Sequence, residues 1–171
     1  YGMENIKRIG IVGPESTGKS SLAAAMAQHF GCGFVKEVAR DYLEHLGRPY
    51  QQQDLDEIAR LQIAEEEKVL LTHPPILICD TTLLVIRIWS EYKYGNISDT
   101  ILQLDRQRHY DYYLLTDIDL PWEDDPLREH PNERQQLFSL YYRALIQQSV
   151  PFAVVFGEGN ERVLRSLRFK V

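Results

Sequence analysis

A chain of 171 residues that is 44 % apolar has the size of one compact domain able to bury its own core. A formal net charge of -6, from 19 Lys and Arg against 25 Asp and Glu, excludes a general electrostatic pull toward DNA or an acidic membrane surface. The apolar runs are far too short to cross a bilayer and no charged-then-apolar leader opens the chain, so a cytoplasmic protein without nucleic-acid or membrane partners is expected.

In chain order, Ile6 to Val12 is a short β-rich run that stops at Gly13, and Lys19 to Phe30 has Leu22, Met26 and an alanine cluster at helical spacing. Phe34 to Val38 reads as a second strand, and Arg40 to Leu46 as a short helix closed by Gly47 and Pro49. A long polar helix is expected from Asp54 to Leu71, with Asp54 as its N-cap and Glu57 three residues on. Pro75 to Cys79 is an unbroken apolar strand ending on Asp80, as in strands buried on both faces of a parallel sheet. Helical patterns follow at Leu83 to Tyr94 and Ser98 to Arg108. Strands are expected at Tyr112 to Leu115 and Phe152 to Val155. Between those two strands lie a charged, Pro-rich stretch from Asp119 to Pro131 and a helix from Asn132 to Gln148, and a last helix starts near Asn160. Five strands alternating with helices imply an α/β fold: a five-stranded parallel sheet covered by helices on both faces, in one domain over residues 1–171.

Gly13-Pro14-Glu15-Ser16-Thr17-Gly18-Lys19-Ser20 fits G-x-x-x-x-G-K-[ST] between the first strand and the first helix, the context that a phosphate-binding loop requires. The glycines let the backbone curl so that successive N–H groups point at phosphate oxygens, and the helix start adds its positive dipole end. Lys19 is expected at the β- and γ-phosphates and Ser20 on Mg²⁺, with Ser21 completing the nucleotide-binding run. The chain therefore reads as a P-loop NTPase using ATP and Mg²⁺. The D-x-x-G and N-K-x-D motifs of GTPase switches are absent, and the basic face of a DNA-handling ATPase is missing. A small-molecule kinase fits the length, with a nucleotide-binding regulatory ATPase as the alternative.

A kinase needs an acceptor site, an acidic group and an arginine-bearing lid. Asp80, at the carboxyl end of a buried strand, resembles a Walker-B carboxylate for the metal or the acceptor; capping the following helix at Thr81-Thr82 is the lesser alternative and does not exclude metal work. Glu37 and Arg40 fall at the same sheet edge and are candidates for holding acceptor hydroxyls or the transferred phosphoryl group. Either Asp80 or Glu37 is the base. A lid is expected at about 119–134: Arg128, with Arg134 assisting, would neutralise the transferring phosphoryl group, and Trp122, Asp124 and Asp125 would face the acceptor. Trp89 is either a core ring or a stacking partner for a flat base. Asn160 lies in a turn after the last strand, where adenine is held in related folds. Cys32 and Cys79 lack metal-like spacing and are expected as reduced thiols.

Taken together, G-P-E-S-T-G-K-S at 13–20, E-V-A-R-D-Y at 37–42, D-T-T-L-L-V at 80–85, W-S-E-Y at 89–92, Y-D-Y-Y-L-L-T-D-I-D at 110–119 and P-W-E-D-D-P-L-R at 121–128 resemble the nicotinamide riboside kinase domain of the NadR type. The resemblance covers nearly the whole chain. It implies transfer of the γ-phosphoryl group of ATP, with Mg²⁺, to the 5′-hydroxyl of nicotinamide riboside, giving nicotinamide mononucleotide for NAD synthesis. Larger members also carry an adenylyltransferase domain and sometimes a helix-turn-helix, for which 171 residues have no room; association with an adenylyltransferase or with a second copy stays open. Val38 stands where the family usually has an aromatic residue, and Thr82 where it often has a second aspartate, both near the expected acceptor pocket.

Overall fold

The computed structural model describes residues 6–15, 17–117 and 133–156. In chain order these form β1 (Lys7–Val12), α1 (Lys19–Phe30), α2 (Val38–His45), α3 (Gln52–Leu70), β2 (Ile76–Asp80), α4 (Leu83–Tyr94), α5 (Asp99–Arg106), β3 (Tyr112–Thr116), α6 (Arg134–Gln148) and β4 (Phe152–Val155). The strands make one sheet in the order β2-β1-β3-β4, every pair parallel.

Strand periodicity divides the core. Ile9 and Ile11 of β1, Ile76 and Ile78 of β2, Leu114 of β3 and Val155 of β4 pack with Leu22, Ala23, Met26 and Ala27 of α1. The alternate residues Val12, Leu77, Cys79, Tyr113 and Leu115 pack on the opposite face with Leu84 and Ile88 of α4 and Leu137, Tyr141 and Leu145 of α6. Both faces are apolar because both are covered, which is why the strands read as continuous hydrophobic runs. A third cluster lies off the sheet, where Ala39, Leu55, Ile58, Ala59, Leu83, Ile86 and Ile101 join α2, α3, α4 and α5. Gly10 is needed where β1 meets α4: a Cβ there would lie 2.6 Å from Thr82 Cγ2 and 2.9 Å from the Tyr113 ring.

The described sheet has four strands, not the expected five. Of Phe34 to Val38 only Val35 pairs, its N–H donating to the Ile78 carbonyl at 2.8 Å and its carbonyl accepting from Asp80 N–H at 2.9 Å. The backbone then turns at Glu37, the N-cap of α2, so the segment is spent on a single bridge and a helix start. The long helix α3 also begins earlier than expected. Its cap is Gln51, whose N–H donates to Asp54 Oδ2 at 2.7 Å, so Asp54 is the third-position member of the capping box and not its N-cap. Ser98 caps α5 through the Ile101 N–H, and α6 starts at Arg134, not Asn132. The lid segment apart from Glu133 and Arg134, and the helix expected near Asn160, lie outside the described residues. Both cysteines are free thiols. Among the described residues no helix is long and apolar enough to cross a membrane.

Candidate active site

The carboxyl ends of β1, β2 and β3 converge on one edge of the sheet. β1 ends at Val12 and runs into Gly13, whose φ of 146° and lack of a Cβ are both required, because a Cβ would sit 2.4 Å from Thr116 Oγ1 and 3.0 Å from the Thr116 carbonyl. The loop closes at Gly18, left-handed at φ 82° and serving as N-cap of α1, whose first residues are Lys19 and Ser20. The amino end of α1 thus faces the space above the loop, and its unpaired N–H groups and dipole favour an anion there.

Two threonines support the loop from beneath. The Thr17 hydroxyl donates to the Pro14 carbonyl at 2.6 Å and lies 2.6 Å from the Thr116 hydroxyl. The Thr116 hydroxyl also lies 3.3 Å from the Val12 carbonyl, so its single proton has both Thr17 and Val12 as acceptors. Both side chains are buried. Lys19 Nζ donates to the carbonyls of Gly13 and Pro14 at 3.0 Å each, so the ammonium spans the loop.

Asp80, the last residue of β2, is only 2 % exposed. The Ser20 hydroxyl donates to its Oδ2 at 2.6 Å, and its Oδ1 is buried with no hydrogen-bond partner among the described residues. Burial, followed by the charge of Glu37, pushes the Asp80 carboxyl above its ordinary range; the Ser20 hydrogen bond, the Lys19 charge and, least, the nearby Thr81 hydroxyl oppose that shift. The next residue, Thr81, adopts φ 78°, a conformation that side-chain-bearing residues avoid, and Thr82 then caps α4 by accepting from the Leu84 N–H at 3.2 Å. Capping the following helix therefore falls to Thr82 and leaves Asp80 for other work. A buried, partnerless carboxylate oxygen beside a serine hydroxyl is a hard-oxygen donor set of the kind Mg²⁺ takes when phosphates and waters complete its shell. Among the described residues no group of three His, Cys, Asp or Glu could hold a metal without such help.

The Val35 bridge delivers Glu37 to this edge, half-buried and electrostatically coupled to Asp80. Tyr141 of α6, which sequence pattern left as an ordinary helical residue, belongs here as well. It is buried in the core cluster between α6 and the sheet, and burial, then the charges of Glu15 and Glu37, hold its phenol well above the usual range. Thr116 was missed too, since its partner Thr17 is 99 residues away.

The remaining candidates are placed as follows. Arg40 is on α2 with Glu44 at 3.8 Å. Trp89 packs in the third cluster, its indole N–H donating to the Tyr50 hydroxyl at 2.9 Å and its ring meeting Tyr50 edge-on at 5.0 Å. Arg134 is half-buried at the start of α6. Ser16, Trp122, Asp124, Asp125, Arg128 and Asn160 lie outside the described residues.

A glycine loop between a central parallel strand and a helix, with a strand-end aspartate on the helix's serine, defines the P-loop NTPase class of α/β folds. Within it, the family model described as an AAA domain (AAA_28) matches residues 8–162, and the chain belongs to that family. It is 26 % identical over 175 residues to the trifunctional NAD biosynthesis/regulator protein NadR of Escherichia coli (strain K12), a match covering 94 % of this chain and 41 % of NadR. The chain thus spans about two fifths of that relative's length. Among solved structures, a NadR protein in complex with NR superposes with a TM-score of 0.83 at 16 % identity, covering 96 % of this chain and 50 % of that one. Deoxyadenosine kinase from M. mycoides with bound dCTP superposes with a TM-score of 0.57 at 17 % identity, covering 94 % of this chain and 96 % of that one. The fold is that of these structures.

Proposed function

We propose that this chain is a single P-loop kinase domain that transfers the γ-phosphoryl group of ATP to the 5′-hydroxyl of nicotinamide riboside, giving nicotinamide mononucleotide and ADP. The observation that carries the reading is the juxtaposition of Lys19, Ser20 and Asp80 with a second carboxylate, the half-buried Glu37, at the same sheet edge. The relation to NadR and the resemblance along the chain support the acceptor.

In this reading the loop N–H groups and Lys19 hold the β- and γ-phosphates. Ser20 and Asp80 would hold Mg²⁺, which supplies charge neutralisation on the phosphate oxygens. That occupation of Asp80 leaves Glu37 to accept the proton of the acceptor hydroxyl as its oxygen bonds to the γ-phosphorus and the bond to ADP breaks. A lid over about 119–134, with Arg128 and Arg134, would close over the transferring group, and Trp122, Asp124 and Asp125 would meet the acceptor. Use of ATP and an NAD precursor fits a cytoplasmic setting. A second reading, another nucleoside as acceptor, is favoured by Val38, which gives a flat pyridine ring no aromatic partner where the family usually has one.

The test is ATP-dependent phosphorylation of nicotinamide riboside beside the common nucleosides, with Lys19→Ala as the inactive control. Turnover on nicotinamide riboside well above the others is expected. Preference for another nucleoside would transfer the assignment to the second reading, and slow ATP hydrolysis indifferent to every acceptor would replace the kinase by a regulatory ATPase. Turnover appearing only with an added adenylyltransferase would reveal a dependence on that partner.

A further inference from the structure

Gln62 occupies the middle of α3, one turn beyond Ile58 and Ala59, and is 1 % exposed although its side chain is an amide. A buried amide must satisfy one acceptor and two donors. Its Oε1 accepts from the Val38 N–H at 3.2 Å, and its Nε2 donates to the carbonyls of Lys36 and Thr81, both at 3.4 Å. An N–H on one side and two carbonyls on the other fix the amide orientation uniquely.

Lys36 and Val38 flank Glu37, so two of the three bonds hold the peptide groups on either side of that carboxylate. The third reaches the residue directly after Asp80, at the turn where Thr81 is left-handed with φ 78°. Such a turn persists only where its surroundings over-determine it. The Thr81 N–H donates to the Ile11 carbonyl at 3.0 Å, and Gln62 secures the other end of the same residue.

We infer that Gln62 is a positioning residue that sets the relative placement of Glu37 and Asp80 by bonding the backbone of both turns at once. This rests on the kinase reading for its catalytic consequence and not for its geometry. The phosphate loop is held by other contacts, those of Thr17, Thr116 and Lys19, so nucleotide binding and acceptor chemistry are separable in the fold. Displacement of a reacting group by about 1 Å costs about a hundredfold in rate.

The experiment compares wild type with Gln62→Met, of similar length and without the three bonds, and with Gln62→Glu, which keeps an acceptor for the Val38 N–H but turns an oxygen toward the two carbonyls. Three measurements are made on each: Kd for an ATP analogue without Mg²⁺, which reports the phosphate loop alone, kcat and KM for nucleoside phosphorylation, and backbone amide exchange. For Gln62→Met, Kd within about twofold of wild type, kcat down roughly ten- to a hundredfold and at least about tenfold faster exchange at Val38 are expected, with the amides of α1 unaffected. Gln62→Glu should recover the Val38 protection without recovering kcat. Parallel loss of nucleotide affinity and kcat, or unchanged Val38 exchange in a folded Gln62→Met, would overturn the inference. If wild type phosphorylates no nucleoside the kinase reading fails, and Val38 exchange together with the rate of ATP hydrolysis still decides whether Gln62 holds the two turns.

Discussion

Asp54 and Asp80 are both shut off from solvent, at 3 % and 2 % exposure, yet their carboxyls are shifted in opposite directions. Asp54 lies near the surface beneath Arg48, itself 47 % exposed, and is surrounded by donors: two guanidinium N–H groups at 2.9 Å, the Tyr42 hydroxyl at 2.7 Å and the Gln51 N–H at 2.7 Å. Arg48 foremost holds it well below the usual carboxylate range. Asp80 lies deep at the sheet end with one hydroxyl on one oxygen and nothing hydrogen-bonded to the other among the described residues. A carboxylate whose every lone pair is used stabilises a fold; one left short of donors in a dry place is kept for something that is not protein.

The sharpest way to break this contrast is to neutralise the under-satisfied member. Asp80→Asn keeps the shape and removes a charge whose burial is unfavourable. The expectation is a fall in kcat of about 10²–10³-fold, the scale of losing one electrostatic group at a reacting centre. Stability should rise at neutral pH by ~1 kcal/mol, or roughly 2–4 °C in Tm for a chain of this size. A variant that lost both activity and stability would make Asp80 a structural aspartate like Asp54.

The reverse holds for Asp54→Ala, which removes the acceptor for Tyr42, Arg48 and the start of α3 together. Since Arg48 can turn to water, the loss should be about 2 kcal/mol, read as a Tm lower by roughly 4–8 °C, with nucleotide affinity unchanged. A large loss of nucleotide affinity with Tm preserved would place Asp54 in the functional machinery.

The two aspartates also mark how far the chain could be read in advance. The phosphate loop, its helix and the buried strand ending on Asp80 are local patterns, and their boundaries fall within a residue or two of expectation. Asp54 was correctly seen as part of a cap but assigned the wrong position in it, because the cap is Gln51, a residue type outside the usual Ser, Thr, Asp and Asn, and only the Asp54 carboxylate reaching back to the Gln51 N–H reveals the frame. Glu37 was placed at the right sheet edge although the strand meant to carry it is a single bridge at Val35. Gln62, Thr116 and Tyr141 had no local signal at all. Each acts through partners distant in the chain, and neither a helical glutamine nor a strand-end threonine differs in pattern from a residue that does nothing.

A smaller effect is expected behind the loop. Thr116→Val keeps the volume and removes the hydroxyl that contacts both the Thr17 hydroxyl and the Val12 carbonyl. It therefore loses one buried hydrogen bond of ~1 kcal/mol, and nucleotide Kd should weaken about fivefold without a change in the acceptor KM. An unchanged Kd would mean that Thr17 and Pro14 hold the loop without Thr116.

The finest separation is in pH. The depressed Asp54 carboxyl stabilises the fold above the unfolded value of about 3.9, and that contribution is lost as pH falls from there through the folded value. The raised Asp80 carboxyl does the opposite. Its ionised form costs stability above its folded value, and the cost fades as pH falls from that value to about 3.9, below which both states are protonated. In urea unfolding without nucleotide or Mg²⁺, the gain of Asp80→Asn over wild type should therefore vanish on the way down to about pH 4, while the deficit of Asp54→Ala should persist to that point and close only below it. Convergence of both variants with wild type in the same window would mean that the two carboxylates are not held in opposite senses, and the division between a saturated structural aspartate and an unsaturated site aspartate would have to be abandoned.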